Sequence, residues 1–178
     1  GFESISGQVN VVLKEPNPDK EKILLNAYLN SFGEKHLNAN FSTTLGKNWK
    51  SLTSLHLVQP ASKRDRDEDT FLDLPLLTRL AIYQKFTLGD EQTAGWSSKI
   101  GLRYLDEKRI GGQTTFDAKS DQGSNQVYGQ VVQYQQPELY TKTGYRFNPQ
   151  SKISLIASAF QHQQSAWFGV TQYTSKHL

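Results

Sequence analysis

One stretch of this chain gathers groups that could do chemistry at a defined spacing, Asp65-Arg-Asp-Glu-Asp-Thr-Phe-Leu-Asp73. Asp65, Asp67, Asp69 and Asp73 fall at positions 1, 3, 5 and 9 of a calcium-loop pattern. Carboxylates at alternate positions of a curled loop can converge on one hard cation, so Ca²⁺ is the ion this spacing points to. The pattern is incomplete, because Thr70 stands where the loop glycine belongs and Leu76 where the bidentate Glu belongs. Lys63, Arg64 and Arg66 compete for the same carboxylates, and the stretch reads equally as a solvated, self-neutralising loop.

Other chemistry is sparse. There is no Gly-x-Ser-x-Gly elbow, no Gly-x-x-x-x-Gly-Lys phosphate loop and no His-Glu-x-x-His zinc motif, so no enzyme is expected and no cofactor is required. The absence of cysteine excludes disulfides, thiol catalysis and Cys-based metal sites. His36, His56, His162 and His177 are far apart in sequence, and the first three fall on polar strand faces, where a hydrated histidine is the simplest reading. A net charge of +3 on 178 residues gives no ground for a nucleic-acid partner. No run of about 18 apolar residues offers a transmembrane helix. The lack of any Met reads as a processed or excised segment.

The elements that would position these groups are strands. Ile23, Leu25, Ala27 and Leu29 share one parity. Leu37, Ala39, Phe41, Thr43 and Leu45 alternate with His36, Asn38, Asn40, Ser42 and Thr44. The same two-residue period continues over 49–58, 76–88, 96–110, 139–147 and 153–162, giving about seven antiparallel up-and-down strands. Several exceed the usual five or six residues. Their connections are short at 32–35, 45–48, 89–95 and 148–151, and long at 61–75 and 111–126. The 45–48, 89–95 and 148–151 connections fall at one end, and both long ones at the other. Long strands, apolar on one face and polar on the other, with short turns at one end, fit an all-β transmembrane barrel. A soluble extracytoplasmic β-sandwich that binds a ligand, with one wet face, is the alternative. Trp49, Trp96 and Tyr145 fall near strand ends and suit interfacial belts. The polar faces carry Lys50, Arg79, Lys85, Lys99, Arg103, Lys142 and Arg146 against few acids, Glu107 and Glu138. They would attract an anionic ligand or pair with acids of a segment missing from this chain.

The opening, Gly1-Phe-Glu-Ser-Ile-Ser-Gly-Gln-Val-Asn-Val-Val-Leu-Lys-Glu-Pro16, resembles the end of the plug domain of TonB-dependent outer-membrane receptors, where a Ser-Gly-x-Val-Asn stretch leads into the last plug strand. Phe71-Leu-Asp-Leu-Pro75, Arg109-Ile-Gly-Gly-Gln113 and Gln161-His-Gln-Gln-Ser-Ala-Trp-Phe-Gly169 resemble segments of one branch of these receptors. The resemblance covers the chain in order. It implies two parts: residues 1–20 as the end of the plug and the hinge, and 21–178 as the N-terminal portion of an outer-membrane barrel. It further implies a location in the outer membrane of a Gram-negative bacterium, with outer-membrane lipid around the strands. It also implies coupling to the TonB complex through plug segments lying before this chain, and energised uptake of a scarce nutrient. A siderophore, cobalamin, a metal chelate or an oligosaccharide would fit that role. The loop containing Asp65, Asp67, Asp69 and Asp73 would be the second extracellular loop, a region in which the related cobalamin receptor binds calcium.

Overall fold

The computed structural model describes residues 15–19 and 21–178. The expected last plug strand, within 1–14, lies outside the described residues. No helix occurs among those described. The strands are β1 (Ile23–Leu29), β2 (Lys35–Leu45), β3 (Trp49–Gln59), β4 (Leu76–Leu88), β5 (Gly95–Gly112), β6 (Gly129–Asn148), β7 (Ser151–Phe160), β8 (His162–Phe168) and β9 (Thr171–His177). All join one antiparallel sheet in the order β1-β2-β3-β4-β5-β6-β8-β9, with β7 also paired to β6. The sheet is open.

The expectation of about seven strands is corrected by this topology. β7 and β8 are one pass of the chain: Glu138 faces Phe160 and Gln135 faces Gln163 at the same offset. The interruption lies at Pro137, whose carbonyl accepts from Gln161 N at 3.0 Å but which has no N–H to return. Among the described residues the chain therefore traverses the sheet eight times. The last strand, β9, and the first half of β6 escaped the apolar alternation because neither contrasts one face with the other: β9 is mostly polar on both, and in β6 the adjacent Val131 and Val132 fall on opposite faces among glutamines. Gln130, Gln133, Gln135 and Gln136 flank β6 where it rises beyond the apolar band.

The two-residue period decides what each face carries, because every register pair keeps parity. On one face lie Leu25, Ala39, Leu55, Ile82, Tyr104 and Pro137 in a cross-strand row. On the other lie Asn40, Ser54, Tyr83, Arg103, Glu138 and Phe160. The apolar face is uncovered: Leu25 and Leu29 in β1 and Ile153 and Leu155 in β7 are 66–69% exposed. A sandwich would bury such a face beneath a second sheet, and among the described residues no strand is left to form one. Where this face is polar it satisfies itself. Thr53 Oγ1 donates to Gln84 Oε1 at 2.6 Å, and Gln84 Nε2 donates to Ser51 Oγ at 2.6 Å.

The two ends of the sheet differ in their connections. At one end the chain reverses at 46–48, 89–94 and 149–150. Gly89 (φ 63°) permits the second of these, because a Cβ there would come within 2.5 Å of Trp96 O. At the other end lie 60–75 and 113–128, which are stitched together. Phe71 bridges Gln113, Leu72 N donates to Gly112 O at 2.9 Å, and Thr114 N donates to Thr70 O at 2.9 Å. Lys63 Nζ donates to Thr114 O and Phe116 O at 3.0 and 2.6 Å. Phe116, buried, packs over Gly129, where a Cβ would come within 2.3 Å of its ring. Residues 71–75 and 109–113 meet in this stitched unit.

Candidate functional site

The polar face is where this chain concentrates interacting side chains. Near the tight turns it forms an ionic lattice around two carboxylates. Glu15, in the connector before β1, lies 2.9 Å from both Lys85 and Lys99 and 3.4 Å from Thr87 Oγ1. Pro16 and Pro18 beside it are buried. Glu91, in the turn after β4, meets Lys142 at 2.5 Å, Lys99 at 3.3 Å and Lys152 at 3.8 Å. Its backbone carbonyl accepts from Arg146 Nε at 2.7 Å. Lys99 bridges the two carboxylates. Burial opposes charge on Glu15, but hydrogen bonds and attraction from Lys99 and Lys85 outweigh it and hold its carboxyl below the usual range. Lys142, with Lys99, lowers the Glu91 carboxyl in the same way. A 730 Å³ cavity lies beside the lattice, lined by Glu15, Pro16, Asn48, Lys50, Glu91 and Lys99 among others.

Further along the strands, charges are paired one by one. Glu107, wholly buried, is held by Arg79 and by Arg109 at 2.5 Å. Arg103 meets Glu138 at 3.2 Å. Most of the bases expected on this face therefore meet an acid inside the chain rather than outside it, but four shared carboxylates (Glu15, Glu91, Glu107 and Glu138) against the seven named bases leave the face net positive. Sequence reading passed over the two acids that matter most, Glu15 and Glu91, because they stand in a connector and a turn rather than in an alternating strand. The one available signal was the stiff Glu15-Pro-Asn-Pro context, which can fix a side chain at the edge of a sheet.

Mid-sheet, the polar face carries a shelf of tyrosines. Tyr140 faces Gly101 across β5 and β6, and its ring lies where a Cβ on Gly101 would come within 2.0 Å of it. Glycine there is thus a seat for an aromatic ring, a pairing known to stabilise strands. The Tyr83 and Tyr140 hydroxyls are 2.9 Å apart. With Ser54, Arg103, Gln136 and Phe160 they line a 560 Å³ cavity.

The histidines do not form a ligand set. His36 and His56 stack at 5.6 Å, His36 Nε2 engages Glu34 Oε1 at 2.7 Å, and His162 Nδ1 engages Gln136 Oε1 at 2.8 Å. All three lie on the polar face.

In the 60–75 loop, the carboxylates of Asp65, Asp67 and Asp73 come within 4.8 Å of one another and could hold one cation. Asp69 is outside that group, with its Oδ1 accepting from Phe71 N at 2.7 Å. Asp65 accepts from Asp69 N and Thr70 N at 3.1 and 2.8 Å, which curls the chain through left-handed Glu68 and Thr70 (φ 63° and 76°). Repulsion from Asp69 raises the Asp67 carboxyl above its usual range. The Arg66 side chain turns away from the carboxylates, stacking on Phe32 at 4.0 Å with Nη2 on Ser31, while its backbone N donates to Asp73 Oδ2 at 3.2 Å. Lys63 is likewise engaged with the neighbouring loop, so two of the three competing cations are directed elsewhere.

On the apolar face, Trp96 packs on Tyr145 at 5.3 Å and Tyr145 on Phe147 at 5.0 Å, in line with Trp49 at the tight-turn end. No family model, no curated protein and no solved structure matches this chain.

Proposed function

We propose that the chain is part of the wall of a TonB-dependent outer-membrane receptor, with the connector around Glu15 entering from the plug. Such a receptor is a binder and energised conduit rather than an enzyme. The single observation that carries the reading is the uncovered apolar face of one open sheet. From Phe147 to Pro137 it spans roughly 33 Å along β6, or about 25 Å along a barrel axis at a tilt of about 40°, the height of a lipid-facing band. Trp49, Trp96, Tyr145 and Phe147 then form the belt at one membrane surface. Asp106 and Gln135, joined at 2.6 Å, mark the polar limit at the other.

Three further features support it. The connections at one end are all short, whereas both long loops lie at the other, together with the short 30–34 and 169–170 turns, as periplasmic turns and extracellular loops are distributed. Residue 15 seats on the polar, lumen-side face at the tight-turn end, where a plug would join the wall. Both outer edges of the sheet, β1 and β9, have no second partner strand among the described residues, and further strands of a barrel would pair there. In this reading Ca²⁺ is the ion for Asp65, Asp67 and Asp73 on the extracellular side, outer-membrane lipid surrounds the apolar face, and the TonB complex acts through the plug.

The test is expression of the full-length chain in a Gram-negative host. A receptor should fractionate with the outer membrane and migrate faster on gels before boiling than after. A protein that stays monodisperse in buffer without detergent would instead be the soluble binding module.

A further inference from the structure

The mid-sheet cavity has a composition that selects a class of ligand. The Tyr140 ring occupies the space a Cβ on Gly101 would fill, against the backbone, and both residues line the cavity, so the ring borders open space. An aromatic face is electronegative and attracts polarised C–H groups presented by a flat ligand. The rim supplies paired donors and acceptors. Tyr83 and Tyr140 share one hydrogen bond, leaving lone pairs on both hydroxyls. Gln136 adds an amide beside them, whose Oε1 is engaged by His162 and whose Nε2 donates to Glu138, leaving one N–H and one lone pair for a ligand. The cavity's two charged residues cancel, since Arg103 is paired with Glu138. Phe160 adds a second apolar surface at the far wall. The volume, 560 Å³, is in the range of small-ligand pockets.

A ring face bordered by neutral hydroxyl and amide groups, with no uncompensated charge, fits a ligand that is flat and apolar on its faces and hydroxylated at its edges. We propose that this shelf is a binding subsite for a neutral saccharide, with a pyranose stacked on Tyr140 and its hydroxyls engaged by Tyr83 and Gln136. The proposal rests on the receptor reading, in which this face lines the conduit, and it narrows the nutrient to neutral oligosaccharides. A metal chelate or other anion would instead be drawn to the lysines near the tight turns.

The experiment uses the full-length chain in detergent micelles, titrated with maltohexaose as neutral probe and hexagalacturonate as an anionic probe of equal length. Binding is followed by intrinsic fluorescence and by saturation-transfer NMR. Maltohexaose should bind saturably and tighter than hexagalacturonate. Gly101→Ala, which lifts the ring while keeping every polar group, and Tyr140→Ala should each weaken it about tenfold. Tyr83→Phe, which keeps the ring and the fold, should weaken it about threefold. Saturation-transfer contacts should fall on the sugar C–H protons of one ring face. The proposal is overturned if maltohexaose fails to saturate, if hexagalacturonate binds tighter, or if Tyr83→Phe and the ring-displacing variants leave the affinity unchanged. Its failure is separable from that of the receptor reading. A chain that fractionates with the outer membrane yet ignores maltohexaose refutes the saccharide shelf alone. A chain that is soluble without detergent yet binds maltohexaose through Tyr140 refutes the receptor alone.

Discussion

At the tight-turn end the polar face is held by charge: Glu15 and Glu91 draw Lys85, Lys99, Lys142 and Lys152 around two carboxylates. At the long-loop end the same sheet is held by packing and backbone hydrogen bonds, with Phe116 over Gly129 and the 60–75 and 113–128 loops sharing bonds across Phe71 and Gln113. Ionic contacts of half-exposed side chains are individually weak, and salt or acid dissolves them. A buried ring in a close-fitted seat is insensitive to both and fails only when its shape changes. The two ends should therefore loosen under different conditions. In a receptor that would let a plug connector be released at one end while the loops facing the nutrient keep their form.

The largest effect that would break this contrast comes from the packed end. Phe116→Ala removes a buried aromatic side chain and should cost about 3 kcal/mol or more of local stability. Amide hydrogen exchange should accelerate through both 60–75 and 113–128, because the loops are stitched to each other, while residues 15–19 and 89–94 stay protected as before. Acceleration at both ends would mean that the ends are one cooperative unit. Next in size is Glu107, buried between Arg79 and Arg109. Glu107→Gln leaves two guanidinium groups facing each other and should cost about 2 kcal/mol, below the range for fully buried pairs because Arg109 is half exposed. Denaturant unfolding of the full chain in detergent measures it, and an unchanged midpoint would show that Glu107 holds neither arginine.

A smaller effect is expected at Glu15, whose side chain is 49% exposed. Glu15→Gln should loosen the connector by about 1 kcal/mol or less once solvent screening is counted. Its pH dependence has a fixed sign. The folded carboxyl titrates below the usual glutamate range, so its stabilisation is complete above that range and fades as pH falls through the lowered folded value. Glu91 behaves alike. A spin label at Asn17→Cys should gain mobility in acid, below the usual glutamate range, and in molar salt, with a label in the 113–128 loop unaffected. Mobility that ignores acid and salt would show that Pro16 and Pro18, not the ions, hold the connector.

Most of the strand plan could be read from the sequence because burying or exposing one face imposes a two-residue period, and Leu37–Leu45 or Leu76–Leu88 state that period directly. The plan faded where the period loses its contrast. Gly129–Gln136 and Thr171–His177 carry polar residues on both sides, and Pro137 imitates a break while only removing one hydrogen bond. Site residues fared by the same rule. Arg79, Arg103 and Lys142 were legible as polar-face residues, but Glu15 and Glu91 reach that face from irregular segments, where no periodicity reports direction. The Tyr140–Gly101 seat was invisible because it depends on cross-strand register across a long loop.

The smallest expected effect sharpens the comparison at the loop end, where charge and packing meet. Spacing alone gave Asp65, Asp67, Asp69 and Asp73 equal standing, yet only the carboxylates of Asp65, Asp67 and Asp73 converge, and Asp69 lies outside that group. Ca²⁺ titrated calorimetrically into the full chain should bind weakly, in about the 10⁻⁴–10⁻³ M range of extracellular sites. Asp67→Asn and Asp73→Asn should each abolish the heat. Asp69→Asn should leave it nearly intact, since it removes no ligand and also relieves the repulsion that raises the Asp67 carboxyl. The sign follows for pH: with its folded carboxyl raised, Asp67 takes up a proton earlier than an ordinary aspartate as pH falls, so Ca²⁺ affinity should decline first in the parent and later in Asp69→Asn. An absence of heat with the parent would remove calcium from this loop. Equal losses in Asp67→Asn and Asp69→Asn would instead restore the four-carboxylate site that the spacing first implied.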